Sequence, residues 1–242
     1  MHSLHLPNLI AVIGPTASGK TALGISLAES FGGEIVSADA KQVYRGMDIG
    51  TAKERNSPVK QHLLDIKNPG ETITVAEYQS RAYKVIDGLV SKGIVPILVG
   101  GSGLYAESVI NGYEFVAECK SKLQKPRYRV LKMGVEIERE VLKARAADRL
   151  RARMEEGLVD EVRGLLGLGV SAAWLKRCGI EYRYVTEYLS GEVSLEECSR
   201  KIEIATNQFI KRQYTWWRRH DDVIWLKNAS EANNITDTFL RS

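Results

Sequence analysis

The spacing of apolar and polar residues divides the chain near residue 111. The first part alternates short apolar runs with longer amphipathic stretches. NLIAVI (8–13) is a compact apolar run closed by Gly14, which predicts a buried strand. A helix is predicted over 19–31, with Ala22, Ile25 and Leu27 among its inward positions. EIVSA (34–38) and HLLDI (62–66) predict two further strands. VAEYQSRAYKVIDGLVSKG (75–93) carries a helical period closed by glycine, and IVPILVGG (94–101) predicts a central strand. Strand, helix, strand in this rhythm implies a parallel sheet with helices on its faces.

Beyond residue 126 the period is mostly helical, over 139–156, 158–167, 180–189 and 194–219. RYRVLKMGVE (127–136) and VIWL (223–226) predict strands that return to the sheet. GYEFVAECKSKLQKP (112–126) is polar, basic and ends in proline, which predicts a linker. The expected organisation is an α/β core (1–111), this linker (112–126) and a helical half with returning strands (127–242).

Composition changes this picture little. Net charge is +4 with a pI near 8.9, a mild basic bias that permits a polyanionic partner. Cys119, Cys178 and Cys198 are odd in number and form no CxxC pair. That argues against a disulfide framework or structural zinc and fits a reducing, cytoplasmic setting. No apolar run reaches the ~20 residues that span a bilayer, and the N-terminal segment lacks the pattern of a signal peptide.

The chemistry enters at GPTASGKT. Gly14, Gly19, Lys20 and Thr21 complete a phosphate-loop pattern between a strand and a helix. Backbone N–H groups of Gly14, Pro15, Thr16, Ala17, Ser18 and Gly19, proline excepted, are the candidates to cradle phosphate oxygens. Lys20 adds a point charge, and the Thr21 hydroxyl is a candidate ligand for Mg²⁺. A P-loop alone does not choose a reaction. Kinases and NTPases need a further acid, and ILVGG (97–101) offers none. Asp39 stands instead at the tip of the second strand, on the same sheet edge as the loop. There it could take a proton from a nucleophile, although a turn or capping aspartate has the same local pattern.

Together, GPTASGKT, SADAKQVYRGMDIGTAK, HLLDI, LVGGSGLY and KRQYTWWRR resemble the tRNA dimethylallyltransferases, in that family's order along nearly the whole chain. The resemblance implies a P-loop-type α/β fold. It also implies transfer of a prenyl group from dimethylallyl diphosphate to N6 of adenosine 37, beside the anticodon, with Mg²⁺ present. The loop would then hold a leaving group. By resemblance Asp39 is the base, Ser102 a hydroxyl between donor and RNA, and Arg149 an arginine reaching the diphosphate. Asp39, Ala40, Lys41 and Gln42 correspond to the segment that recognises adenosine, with Gln42 suited to an adenine edge. RCGIEYR (177–183) resembles a second RNA segment, with Arg177, Cys178, Tyr182 and Arg183 as its contacts. The implied partner is a tRNA anticodon stem-loop, met by a monomer.

Four features depart from the family pattern. Ala40 replaces a serine, Ser102 a threonine, and Glu181 a glycine. The fourth is a deletion at 112–126, where family members carry about sixty more residues. A chain without that insert also resembles adenylate isopentenyltransferases, which take free AMP. A P-loop small-molecule kinase would leave Asp39 and GGSGLY unexplained. An inactive RNA-binding remnant would not need Lys20, Thr21, Asp39, Ser102 and Arg149 together. On the helix end QFIKRQYTWWRRH (208–220), Lys211, Thr215 and Arg218 or Arg219 share one side. Trp216 and Trp217 cannot both face the same way, so at least one belongs to the core.

Overall fold

A computed structural model describes residues 6–115, 121–123, 126–228 and 230–242. Six parallel strands form one sheet in the order β3-β2-β4-β1-β7-β8. These are β1 (Asn8–Ile13), β2 (Gly33–Ser37), β3 (Gln61–His62), β4 (Val95–Gly100), β7 (Arg129–Val135) and β8 (Val223–Leu226). The α/β reading holds, and both predicted returning strands are present.

β1 explains why its sequence is a run and not an alternation. It lies between β4 and β7, with Ile10 opposite Ile97 and Leu131, and Leu9 to Ile13 are fully buried. Leu9, Ala11 and Ile13 face one core with Tyr78, Ala82 and Ile86 of α2 (Val75–Val90). Ile10 and Val12 face the other with Leu23 and Leu27 of α1 (Lys20–Phe31). The expected inward set of α1 is therefore partly displaced: Leu23, Gly24, Leu27 and Ala28 are buried, whereas Ala22 is exposed.

Two other expectations change. HLLDI does not continue as a strand, because Leu63 and Asp65 take left-handed backbone angles (φ 64° and 56°) and turn the chain. In place of the linker, β5 (Tyr113–Phe115) and β6 (Ser121–Leu123) pair as an antiparallel hairpin directly after α3 (Gly103–Asn111). The expectation for 116–120 and 124–125, including Cys119, lies outside the described residues, as does that for residues 1–5.

The helical half comprises α4 (Arg139–Glu156), α5 (Leu158–Gly167), α6 (Ala172–Cys178), α7 (Ile180–Leu189) and α8 (Leu195–Trp217), with α9 (Ser230–Arg241) packed back on the sheet. Its core receives Val43, Tyr44 and Met47 from the segment that follows β2. Glu161 of α5 fixes that segment. Its carboxylate accepts the backbone N–H groups of Asp48, Ile49 and Gly50 at 2.6, 2.7 and 3.1 Å, and the Tyr182 hydroxyl at 2.6 Å. Gly50 is required here, since a Cβ would stand 2.6 Å from the Tyr182 ring. Buried Lys53 adds a second tie, donating to Asp48 at 2.9 Å and Asp65 at 2.6 Å. Burial opposes charge on these two aspartates, but hydrogen bonds from Arg55 and Lys53 win and hold both carboxyls below the usual range.

Glu161→Ala orphans three backbone donors and one phenol. It should lower unfolding free energy by about 2–4 kcal/mol and speed amide exchange at 48–50. Urea denaturation with hydrogen exchange checks this, and an unchanged midpoint would show that the loop is held elsewhere.

Candidate active site

The site begins with backbone conformation. Gly14, Ala17 and Gly19 have φ of 134°, 64° and 86°, which folds the loop so that α1 starts at Lys20. Ala17 accepts a conformation that L-residues rarely take, a local strain of the kind held at binding loops. Lys20 bends back so that its ammonium donates to Pro15 O at 2.6 Å. Part of Lys20 still faces the cleft, yet its ammonium is desolvated. Burial lowers its pKa from 10.5 to about 8, with nearby Asp39 acting in the opposite sense and Arg149 reinforcing the drop.

Two strand ends meet this loop. A Cβ on Gly100 would stand 2.1 Å from Ala38 O, so the ends of β2 and β4 touch only because glycine is there. Ser102 N–H donates to Ala38 O at 3.3 Å, and Ser102 Oγ accepts the Ala40 N–H at 3.0 Å. Asp39 Oδ1 accepts the Lys41 N–H at 2.8 Å. The carboxylate is thus locked in a tight turn that a hydroxyl braces from the neighbouring strand.

The helical half closes the site from above. Arg149 of α4 donates to Thr16 Oγ1 at 2.6 Å, and its Nε has no partner. Burial and the adjacent Arg153 lower its pKa, partly offset by Glu181 and Asp39. Gln213 of α8 accepts Thr16 N–H at 2.8 Å and donates to Gly101 O at 2.8 Å. One side-chain amide therefore joins the P-loop, the end of β4 and the helical half.

These elements enclose a cleft of about 1190 Å³. Thr16, Ala17, Gly19, Lys20, Thr21, Asp39, Ala40, Lys41, Gln42, Ser102, Arg149, Arg177 and Arg183 all line it. Gly14, Pro15 and Ser18 are buried in the loop behind that surface. Two of the expected RNA contacts are not on the cleft. Tyr182 is 1% exposed and spends its hydroxyl on Glu161, and Cys178 is buried with its sulfur 4.0 Å from that of Met47. Both are packing residues of the helical core. Gln42 lines the cleft with its amide already engaged: Ser37 donates to Oε1 at 3.0 Å, and Nε2 donates to Thr51 O at 3.2 Å. In this conformation it braces the turn and is not free for an adenine edge.

The sequence did not single out several residues that the fold brings here. Gln213 reads as one more solvent-facing polar residue, between Arg212 and Tyr214. Tyr184, with the Arg183 guanidinium 5.3 Å from its ring centre, takes the cleft-facing place expected of Tyr182. Glu181 stands where a glycine was expected, and it pairs with buried Arg153 at 2.7 Å. Phe209, Arg212 and Trp216 complete the α8 wall.

Among the described residues, no group of three His, Cys, Asp or Glu side chains could hold a metal. The donors present nevertheless fit Mg²⁺, which binds through few protein oxygens and completes its shell with phosphate and water. Thr21 faces the cleft from the first turn of α1 and can supply such an oxygen.

Comparison with known proteins places this geometry. The family model described as IPP transferase matches residues 42–126 and 115–220, breaking in two at the β5–β6 region. The tRNA dimethylallyltransferase 1 of Geotalea uraniireducens is 34% identical, with 97% of each chain covered. That of Syntrophus aciditrophicus is 37% identical, covering 92% of this chain and 94% of the relative. The first alignment spans 292 positions against 242 residues here, so at least 50 positions are filled only in the relative. The crystal structure of tRNA isopentenylpyrophosphate transferase from Bacillus halodurans superposes with a TM-score of 0.88 at 30% identity, covering 97% of each chain. A eukaryotic dimethylallyltransferase acting on tRNA shares the fold, with a TM-score of 0.84 at 19% identity over 97% of this chain and 80% of that one. With its P-loop, its braced aspartate and relatives matched over almost its entire length, the chain belongs to the IPP transferase family.

Proposed function

We propose that the chain transfers a dimethylallyl group from dimethylallyl diphosphate to N6 of adenosine 37 in tRNA. The observation that carries this reading is the meeting of an anion cradle and a carboxylate on one sheet edge, at the ends of β1 and β2 with the end of β4 between them. Lys20, the loop amides and Arg149 converge where a diphosphate would lie, and Asp39 stands across the cleft.

The residues divide the work. The cradle binds the donor and stabilises the negative charge that grows on diphosphate as the C1–O bond breaks. When bound, Mg²⁺ supplies further neutralisation of that charge, with Thr21 as the protein ligand. The adenine amino group is a weak nucleophile because its lone pair is delocalised into the ring. Asp39 accepts its proton as N6 bonds to C1. The Ser102 hydroxyl accepts from Ala40 and keeps its own hydrogen to donate toward the donor. No phosphoryl group moves.

RNA is the acceptor best suited to the rim. Arg145, Arg177 and Arg212 line the cleft beside Lys176 and Arg183, which pair with Glu192 and Glu187, and together they offer more cationic surface than one nucleotide monophosphate uses. The positions absent relative to the relatives favour the smaller acceptor AMP, so the acceptor must be tested directly. One chain lines the whole cleft, which suits a monomer. Among the described residues no helix is long and apolar enough to cross a membrane, and Cys178 and Cys198 are buried free thiols, as a cytoplasmic tRNA enzyme would have.

Offered dimethylallyl diphosphate, Mg²⁺ and either an anticodon stem-loop with adenosine 37 or AMP, the protein should prenylate the stem-loop. Transfer to AMP alone would move it to the free-nucleotide enzymes, and transfer to neither would overturn the reading. Asp39→Ala should lower kcat by about 10²–10⁴-fold with donor affinity nearly intact. Lys20→Ala should damage both, which equilibrium binding of diphosphate beside single-turnover assays separates.

Donor affinity should also depend on pH. In the free protein Lys20 loses its proton near 8, and a bound diphosphate favours the charged form. Binding should therefore weaken as pH rises through about 8, with proton uptake visible as a buffer-dependent calorimetric enthalpy. The unfolded chain holds that proton up to 10.5, so the same group adds fold stability as pH climbs from about 8 toward 10.5. Affinity flat across this range would mean that Lys20 is not the titrating contact.

A further inference from the structure

We propose that the indole of Trp216 is the cation-stabilising wall of the allyl site. The proposal rests on the transfer reading above and assigns a catalytic role to a residue outside the anion cradle and the base.

Trp216 and Gln213 lie three residues apart on α8 and therefore share one helical face. Gln213 holds Gly101 O, and Trp216 covers the next turn of the same strand end. A Cβ on Gly103 would stand 2.3 Å from the indole nitrogen and 2.6 Å from Cδ1 and Cε2. Glycine at 103 is thus the condition for the ring to reach this far into the cleft. The indole N–H is buried and has no hydrogen-bond partner, so packing alone holds the ring. Buried tryptophans ordinarily satisfy that donor, and placing one here unsatisfied costs free energy that the fold has to bear.

Among the described residues, Tyr184, Phe209 and Trp216 are the aromatic side chains that line the cleft. Trp216 abuts the Ser102–Gly103 turn, and Ser102 is hydrogen-bonded to the residue after Asp39. The donor carbon has to lie between the diphosphate cradle and that aspartate. Its prenyl tail then has the α3 start and the α8 wall as its surroundings. Trp216 is only partly buried and packs on the edge of the core, whereas Trp217 is 1% exposed, lies within that core and does not line the cleft; the indole nitrogens of both are without a partner.

The chemistry gives the ring a task. As the C1–O bond breaks, its electron pair leaves with diphosphate and positive charge spreads over C1 and C3 of the allyl group. The N6 lone pair then forms the new bond to C1, and the N6 proton passes to Asp39. A cation at that stage meets Lys20 and Arg149 on one side, both repulsive to it. An indole face is the strongest neutral attractor of a cation among side chains, and it is most effective where water is excluded. It favours the charged transition state over the neutral tail, so it raises rate more than affinity.

The test replaces Trp216 site-specifically with ring-fluorinated tryptophans of increasing fluorine count, which nearly preserve shape while emptying the π face. Single-turnover prenyl transfer to the stem-loop should fall stepwise, by about tenfold at full fluorination, in line with a desolvated cation–π contact. Binding of the unreactive analogue dimethylallyl thiolodiphosphate should stay within about threefold throughout. Trp216→Leu should show the same rate loss, and Trp216→Phe a smaller one. Rates flat across the fluorinated series would overturn the proposal and leave Trp216 as packing. Failure of the unsubstituted enzyme to prenylate the stem-loop would overturn the transfer reading itself, and the proposal with it.

Discussion

The amide of Gln213 is the contact on which the rest of the site depends. Its oxygen takes the Thr16 N–H, and its nitrogen holds the Gly101 carbonyl, each at 2.8 Å. The first bond fixes the P-loop and the second fixes the end of β4, both from a helix that belongs to the other half of the chain. A buried amide satisfied at both ends has strong geometric demands, because either end left open carries a desolvation cost. One side chain therefore ties the donor cradle to the end of β4, the strand beside the one that carries Asp39. Gly101 permits it, since a Cβ there would sit 2.5 Å from the amide nitrogen.

Around that clamp, charge is arranged to favour a departing anion. Lys20 is desolvated, Arg149 reaches Thr16 from above, and Asp39 is the carboxylate common to both their electrostatic environments. Arg149 is itself flanked by Arg153, which would repel it without Glu181 close by. Glu181 thus has a physical reason to stand where the family pattern has glycine. The Glu161 carboxylate plays the matching structural part, anchoring the segment that begins at Asp39 to the helical half. Site and fold share the same ties.

The sheet and the cradle were legible in the sequence because their signals are local. A strand buried on both faces writes itself as an apolar run, and a P-loop writes its glycines at fixed spacing. The remaining features were legible only in part, since they depend on contacts far along the chain. Leu63 takes a left-handed angle that nothing in its side chain signals, and Asp65 is a lone turn residue inside an apolar run, so the short β3 was hidden. Tyr182 and Tyr184 lie two apart on a helix and point to different surroundings, the first into the helical core and the second to the cleft, a difference that resemblance alone does not show. Gln213 and Thr16 are separated by 197 positions, and nothing local marks their bond. The bonds of Gln42 were hidden for the same reason, because its partners sit five residues before it and nine after.

If the P-loop holds a leaving group, the bond broken in the reaction is carbon–oxygen. Dimethylallyl diphosphate labelled with ¹⁸O at the bridging C1–O position tests this directly. After complete reaction with the stem-loop, mass spectrometry of the released diphosphate should find all of the label there. Label retained on a prenyl alcohol, with unlabelled phosphate groups transferred elsewhere, would mean phosphorus–oxygen cleavage and a P-loop that holds the group being transferred.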